Sequence, residues 1–584
     1  MKLLLVAINA KYVHSNLAVY CLKSYAASKG FRTEIKEYTI NQQPGEVLRD
    51  LYERHADVVA FSCYIWNIEY VKALIRDYKK ICPQTEIWLG GPEVSYRAEK
   101  VLCELPEVRG VLLGEGEETF ARLAAYYNCK DGQEKLSEIP GITFCVAENK
   151  ICTTNPAMLL DFSSLPFPYE GEEVSAFSNR IIYYESSRGC PYSCAYCLSS
   201  IDKKVRFRNL ALVKKELKFF MDRGVPQVKF IDRTFNADAK RTMEIWRFIK
   251  ENDNGRTNFH FEIAAELLTE EQIALLHCLR PGLVQLEIGV QSANEETLAA
   301  VHRRTDFEKL RQTIVKVREK GNVHIHLDLI AGLPKEDMSS FRNSFNEVYR
   351  MRPHQLQLGF LKVLSGSPME RLTEKNSILY QSQPPYEVLQ TECLSFADIT
   401  ELKKVEEMTE VYYNSGQFIY SMLYLEHFFE TPYEIYGKLA SFYEENKLFG
   451  RKLSRANRYE LLLAFAKCML EQKNQEKPSA DEEQFEKVFE QILFFDYCLR
   501  EKVKGRPEFG RHSHMEKQEL KEAYELFDVK WEAEGMHGLE GFSFDPMKTS
   551  AYGTVTGKPR LVLFSYEKRE PIYGQATIQV QERK

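Results

Sequence analysis

The sequence predicts an α/β protein in three parts. These are a parallel sheet covered by helices over residues 1–145, a strand–helix series over 181–365 that suits a partial (β/α)6 barrel, and a mostly helical region over 366–584. Three observations carry this reading. Buried-strand and amphipathic-helix patterns alternate in two separate series. A connector at 146–180, with Pro156, Pro166, Pro168 and several serines, divides the two series. Beyond about residue 370 the alternation gives way to charged, helix-prone segments. A chain of 584 residues is also too long for one hydrophobic core.

In the first part, apolar runs at Leu3–Ile8, Val58–Ser62, Ile87–Leu89 and Val111–Leu113 predict buried strands. Leu17–Lys29, Val71–Ile81 and Glu117–Tyr127 predict the helices between them. Gly90-Gly91-Pro92 and Gly114-Glu115-Gly116 follow two of the strands, at the edge where open α/β sheets bind ligands. In the second part, strands are predicted at Ile181–Glu185, Gln227–Ile231, His260–Ile263, Leu283–Ile288, His324–Ile330 and Gln355–Leu361. The helices among them are Leu210–Asp222, Lys240–Asn252, Glu270–Leu279, Glu296–His302 and Phe307–Lys320. The third part predicts helices at Thr400–Tyr412, Tyr420–Glu445 (broken near Pro432), Arg458–Gln472 and Ser479–Arg500. Strand-like tails follow at Leu561–Phe564 and Gln575–Val580.

Hydrophobic residues make up 44% and charged residues 28%, ordinary for a folded soluble chain. A net charge of −6 gives no general polyanion-binding signature, so nucleic acid has to be argued locally. The opening apolar stretch stops at Asn9 without a small-residue cleavage site, which favours a buried strand over a leader. No run is long enough to span a bilayer, and a cytoplasmic protein is expected. Most of the fourteen cysteines should then be reduced thiols. Only three are close together.

Those three lie in Ser186-Ser187-Arg188-Gly189-Cys190-Pro191-Tyr192-Ser193-Cys194-Ala195-Tyr196-Cys197. Spacings of four and three would also fit one helix face. Gly189 and Pro191 argue against a regular helix, because one loosens the backbone and the other lacks a donor. A structural zinc site wants four ligands, and no further Cys or His follows until His260. Three thiolates on a loop suit an iron–sulfur cubane that keeps one iron open.

This CxxxCxxC loop, after a strand and ahead of a barrel, resembles the radical S-adenosylmethionine superfamily. The resemblance implies Cys190, Cys194 and Cys197 as ligands of a [4Fe-4S] cluster and as the catalytic centre. It implies S-adenosylmethionine chelated to the open iron and cleaved reductively to a 5′-deoxyadenosyl radical. A flavodoxin- or ferredoxin-like electron donor is implied with it. By the same resemblance, Tyr196 packs near the adenine, and Asp232 in Phe230-Ile231-Asp232-Arg233 holds the methionine amino group. Glu287, Gln291 and Arg303 contact ribose and carboxylate. Ile330, in Asp328-Leu329-Ile330-Ala331-Gly332-Leu333-Pro334, flanks the adenine. Arg233 departs from the second acidic residue often found at its position.

The first part resembles the Rossmann-like cobalamin-binding domain of one class of that superfamily, and the match covers roughly residues 1–365. Ser62-Cys63-Tyr64 followed by Gly90-Gly91 fits a serine-then-diglycine pattern, which implies Ser62, Gly90 and Gly91 beside the dimethylbenzimidazole tail. Gly114 and Gly116 fit the next loop. The Asp-x-His-x-x-Gly motif of cobalamin methyltransferases is missing. The corresponding loop, Asn9-Ala10-Lys11-Tyr12-Val13-His14-Ser15-Asn16, offers His14, although a lone loop histidine is more often solvated or hydrogen-bonded.

Two basic stretches stand out in the last third. Lys447–Arg458 holds five basic residues, and a second group comprises Arg500, Lys502, Lys504, Arg506 and Arg511. RNA phosphates are one reading, and a solvated helix face beside acidic segments is the commoner one. His512 and His514 are a weak metal signal. This region resembles the C-terminal extension of some cobalamin-type radical proteins and is expected to shape substrate choice. The scattered Cys21, Cys63, Cys82 and Cys103 lack the pattern of methylthiotransferases. The leading expectation is a cobalamin-dependent radical methyltransferase acting on an unactivated C–H bond. The alternatives are a radical oxidative cyclase or rearrangement enzyme, and an RNA-binding modification protein.

Overall fold

Leu3–Asn9 (β1) is buried at every position, as expected of a central strand covered on both faces. It pairs in parallel with Thr33–Thr39 (β2) and Val58–Ser62 (β3). Glu86–Gly90 (β4), Gly110–Leu112 (β5) and a hairpin of Ile142–Ala147 (β6) and Lys150–Thr153 (β7) complete a seven-stranded sheet, ordered β2-β1-β3-β4-β5-β6-β7. The computed structural model describes residues 1–128, 135–147, 150–172, 179–473, 480–503, 505–529 and 536–583. Strand β2 escaped the sequence reading because its T-E-I-K-E-Y-T pattern is polar, which is how an exposed edge strand reads. The hairpin straddles the boundary expected at 145/146, so the first sheet runs on to Thr153. β1 has β2 on one side and β3 on the other, so the loops leaving β1 and β3 diverge at a topological switch point.

The second sheet contains Ile181–Tyr184 (β8), Gln227–Phe230 (β11), Asn258–Ile263 (β12), Val284–Gln291 (β13), His324–Ala331 (β14) and Gln355–Phe360 (β15). All six are parallel and follow sequence order, the partial barrel that was expected. Two short strands, Ser187–Arg188 (β9) and Arg206–Phe207 (β10), pair beside it and frame the cysteine loop. The sheet curves enough for Lys229 on β11 to reach over β12 and meet Glu287 on β13 at 2.7 Å. The concave face is therefore polar, a lumen lined by alternate residues of each strand.

The barrel has two open edges, and both are covered. On β8, Ile181 N donates to Val13 O at 2.7 Å and Ser15 Oγ donates to Ile181 O at 3.0 Å, so the loop after β1 serves as a partial strand. On β15, Asn414 receives Leu356 N at 2.8 Å and donates to Leu356 O at 2.9 Å, copying a strand partner with one side-chain amide.

Beyond the barrel, Leu379–Tyr380 (β16) and Val388–Gln390 (β17) form a small antiparallel pair. Helices follow at Phe396–Thr409, Ile419–Leu425, Pro432–Glu445, Arg455–Lys473 and Ala480–Arg500. The break near Pro432 falls where expected. The proline starts a new helix capped by Thr431, where its missing N–H costs nothing. Ser479, the expected first residue of the last helix, lies outside the described residues. The C-terminal part also carries a three-stranded sheet of His537–Phe542 (β18), Arg560–Arg569 (β19) and Ala576–Glu582 (β20). Strand β18 was not foreseen, because its two glycines hide the pattern. Among the described residues no helix is long and apolar enough to cross a membrane.

One apolar core joins a face of the first sheet, the outer barrel and the C-terminal helices. Ion pairs fix the first sheet further. Arg188 meets Glu117 at 2.6 Å and Glu115 at 3.1 Å, and Arg180 meets Glu37 at 2.5 Å.

Candidate functional site

The cysteine loop leaves the carboxyl edge of the barrel and is held by main-chain bonds rather than by a helix. Cys190 N donates to Asp202 O at 3.0 Å, Ala195 N to Val301 O at 2.9 Å, and Met369 N to Ala195 O at 2.8 Å. Gly189 makes the entry turn with φ +89°, where a Cβ would lie 2.5 Å from Lys204 O. Only glycine fits there. Cys190 and Cys194 are buried and Cys197 is half-buried, all three as free thiols. The helix-stripe alternative is thereby removed. The three sulfurs do not converge as a donor set for a single ion. Three thiolates without a fourth ligand suit a cluster with one open iron better than a structural zinc site.

Burial pushes the Cys190 thiol up, and the Thr234 hydroxyl 3.5 Å away pulls in the other direction. Arg303 lies 3.7 Å from Cys194 Sγ through Nη1 and donates to Gly289 O through Nη2. Burial would lower this guanidinium, but Tyr196, Cys194 and Glu266 hold it above its ordinary value.

Gln291 sits at a bulge in the β13–β14 pairing with φ +72°, an uncommon conformation for a residue with a side chain. Its amide folds back over Gly289, where a Cβ would collide with it. Gln291 Oε1, Tyr196 Oη, Arg303 Nε and Glu266 Oε2 are all buried without a hydrogen-bond partner. Unsatisfied buried polar atoms are rare and call for a missing partner. Four around one cysteine loop fit the polar groups of a bound cofactor. Tyr196, Gln291 and Arg303 were expected here and Glu266 was not. Its signal was position alone, in the turn just past the carboxyl end of β12. Ile330 is half-buried near the carboxyl end of β14, opposite Gly359.

Two further expected residues are engaged by protein partners. Asp232 is 1% exposed and accepts from Ser186 N at 2.7 Å, Ser186 Oγ at 2.6 Å and Ser187 Oγ at 2.7 Å. It ties the end of β11 to the start of the cysteine loop, so it positions that loop rather than offering a free carboxylate. Glu287 sits deeper in the lumen against Lys229 at 2.7 Å and His260 at 2.9 Å. Burial alone would raise it, but the His260 and Lys229 contacts hold its carboxyl well below the usual range. Its neighbours His324, His326 and Asp328 were not singled out as a group. Their spacing of two along a strand places all three on one face.

At the first sheet, Asn16 Nδ2 donates to Ser62 Oγ at 3.0 Å across the switch point, and Cys63 N donates to Gly90 O at 2.7 Å. Gly91, at φ +109°, packs so tightly on Cys63 that a Cβ would lie 2.5 Å from Cys63 O. Loop packing therefore requires glycine at this position. Gly114, at φ +65°, has nothing within 4 Å of where a Cβ would lie. Gly116 approaches Leu22, where a Cβ would lie 3.0 Å from Cδ2. His14 Nδ1 lies 2.8 Å from Tyr183 Oη, a contact that orients the ring.

Three of the C-terminal basic residues pair with acidic partners. Arg455 meets Glu501 at 2.8 Å, Arg506 meets Glu540 at 2.7 Å, and Arg511 meets Glu508 at 2.5 Å. Lys504 lies outside the described residues. His512 pairs with Glu490 at 3.2 Å and joins no metal-binding group among the described residues.

Three family models match the chain. Residues 3–124 match the B12 binding domain, residues 184–348 the Radical SAM superfamily, and residues 374–540 a protein of unknown function, DUF4080. The cobalamin-dependent radical SAM methyltransferase TokK of Streptomyces tokunonensis is 23% identical over 334 residues, 54% of this chain and 48% of that protein. The 2-(S-pantetheinyl)-carbapenam-3-carboxylate methyltransferase of Streptantibioticus cattleyicolor is 25% identical over 332 residues, 51% and 46% of the two chains. The chain thus spans about half the length of the curated relatives it matches. Among solved structures, the cobalamin-dependent S-adenosylmethionine radical enzyme OxsB, with aqua-cobalamin and S-adenosylmethionine bound, superposes with a TM-score of 0.55 at 15% identity. It covers 84% of this chain and 83% of its own. The chain thus carries a B12 binding domain, then a Radical SAM superfamily domain, then a DUF4080 region, in that order.

Proposed function

We propose that this chain is a cobalamin-dependent radical S-adenosylmethionine methyltransferase acting on an unactivated C–H bond. One observation carries the reading: the cysteine loop stands beside four buried, unpartnered polar atoms, on Tyr196, Glu266, Gln291 and Arg303. Cys190, Cys194 and Cys197 would hold the cluster. Tyr196, Gln291, Arg303 and Ile330 would hold S-adenosylmethionine, with Glu266 added to the set. Ser62, Gly90, Gly91, Gly114 and Gly116 would border cobalamin. When bound, these groups supply reductive cleavage of the sulfonium bond and a methyl carrier.

The chain's own part is to orient. Arg303 places a fixed positive charge against Cys194, and Asp232 anchors the loop on which the cysteines stand. An electron donor of the flavodoxin or ferredoxin class is part of the proposal, as is a cytoplasmic setting. Oxidative cyclisation is not favoured, because the first relatives are methyltransferases.

The test is anaerobic reconstitution with cobalamin supplied. The full chain should take up about four irons and four sulfides and, once reduced, cleave S-adenosylmethionine. Replacing all three cysteines by alanine should abolish both. Cleavage that survives the triple replacement would overturn the cluster assignment. A chain that loads iron but no cobalt would remove methyl transfer and leave the radical chemistry.

A further inference from the structure

Below the cysteine loop, the barrel lumen holds a group of side chains that the radical chemistry does not use. Glu287 on β13 stands opposite His326 on β14, and Gly289 stands opposite Asp328, so successive inward positions bring the three side chains together. One donor atom from each of Glu287, His326 and Asp328 lies within 4.8 Å of the other two. His260, on the next strand, brings Nε2 to 2.9 Å from Glu287 Oε2.

Lys229 Nζ hydrogen-bonds Glu287 Oε2 at 2.7 Å, but not every short distance here is an aligned hydrogen bond. His326 Nε2 is 3.0 Å from Asp328 Oδ1, yet both atoms, and His260 Nε2, are buried with no aligned partner. His326 is only 8% exposed, so water is a poor substitute. Donor atoms that approach one another without pointing at one another converge on a shared space. Charge favours a cation there. Glu262, Glu287 and Asp328 bring three carboxylates to neighbouring register positions, with the Lys229 ammonium against Glu287. Both Lys229 and His260 contact Glu287 through Oε2.

We propose that the barrel lumen binds one divalent transition-metal ion, zinc or manganese(II), on Glu287, His326 and Asp328, with His260 as a fourth donor. One or two imidazoles with two carboxylates are a nitrogen–oxygen donor set that such ions accept and that a thiolate-bound cluster does not need. The ion would lie on the lumen wall beneath the carboxyl edge of the barrel. There it would fix a polar, oxygen-bearing group of a substrate. This site stands or falls apart from the proposed methyl transfer.

The experiment titrates Mn2+ into the full-length, cluster-loaded, oxidised protein under anaerobic conditions and follows loss of the free-ion electron paramagnetic resonance signal. About one bound ion per chain is expected, with affinity lowered at least tenfold in both His326→Gln and Glu287→Gln. His512→Gln, in the C-terminal part, should leave binding unchanged. Iron content and the thermal transition of each variant show whether it is folded. If a variant misfolds, competition by Zn2+ for bound Mn2+ in the wild type gives the second measurement, and bound Mn2+ that Zn2+ cannot displace would overturn the proposal. No binding, binding unaltered in both lumen variants, or loss in His512→Gln would also overturn it, leaving a protonated His326 as the cation of this cluster.

Discussion

Arg303, twelve residues beyond the end of β13, holds its guanidinium 3.7 Å from the sulfur of Cys194 and bonds Gly289 O with the other nitrogen of the fork. One side chain thus joins the cysteine loop to the bulge that shapes Gln291. Lysine offers one compact charge and cannot make both contacts. Arg303→Lys is therefore expected to keep its irons while S-adenosylmethionine cleavage falls about 10- to 100-fold. Iron assay and single-turnover cleavage check this, and an unchanged rate would refute it.

The entry turn predicts a contrast between two glycines of like conformation. Gly189 has φ +89° with Lys204 O in the way of a Cβ, whereas Gly171 has φ +84° with nothing within 4 Å. Gly171→Ala should cost about 1 kcal/mol of stability and leave iron content intact. Gly189→Ala should in addition displace the Cys190 main chain and lower iron per chain. Equal iron in the two variants would show that the steric contact is unimportant.

Arg188 is shared by Glu115, Glu117 and Glu185 and packs over the Phe162 ring at 4.8 Å. Burial would lower it, but the Glu185 and Glu117 carboxylates hold it well above its ordinary value. Removing it strands buried carboxylates, which typically costs about 3–5 kcal/mol. Arg188→Ala should lower the thermal transition more than Arg455→Ala, which breaks a single exposed pair. Equal shifts would mean that the interdomain pairs carry little.

Asp496 is fully buried and caps Ile419–Leu425, accepting from Ser421 N and Ser421 Oγ, each at 2.7 Å. Burial raises its carboxyl to about 7, against the pull of those donors. A carboxyl raised on folding holds its proton longer in the native state. Its contribution is therefore full below its ordinary value near 4 and is lost as pH rises toward 7, by up to about 1.4 kcal/mol per unit. Asp496→Asn should flatten the fall of the thermal transition between pH 5 and 7. An unaltered pH profile would assign that slope to other groups, such as Glu540, which burial also raises to about 7.

Local pattern made much of this protein readable. Leu3–Asn9 and Leu210–Asp222 could be placed from period alone, because burial on both faces of a strand or one face of a helix leaves its mark in sequence. The polar edge strand Thr33–Thr39 and the glycine-containing His537–Phe542 could not, because each owes its strand state to a neighbour. Gly189 and Pro191 argued against a regular helix at the cysteines, and the main-chain bonds of the loop bear that out.

What the sequence by itself determined was the architecture and the cluster loop, since chain order, period and spacing are local properties. Tertiary structure decided which polar residues share a site. It gave Asp232 to Ser186 and Ser187 instead of leaving it free. It left Glu266 unsatisfied beside Arg303, and it gathered Glu287, His326 and Asp328 from separate strands into one lumen. The reason is physical. Whether a buried carboxylate is paired depends on groups far away in the chain, and only the curvature of the sheet sets those distances.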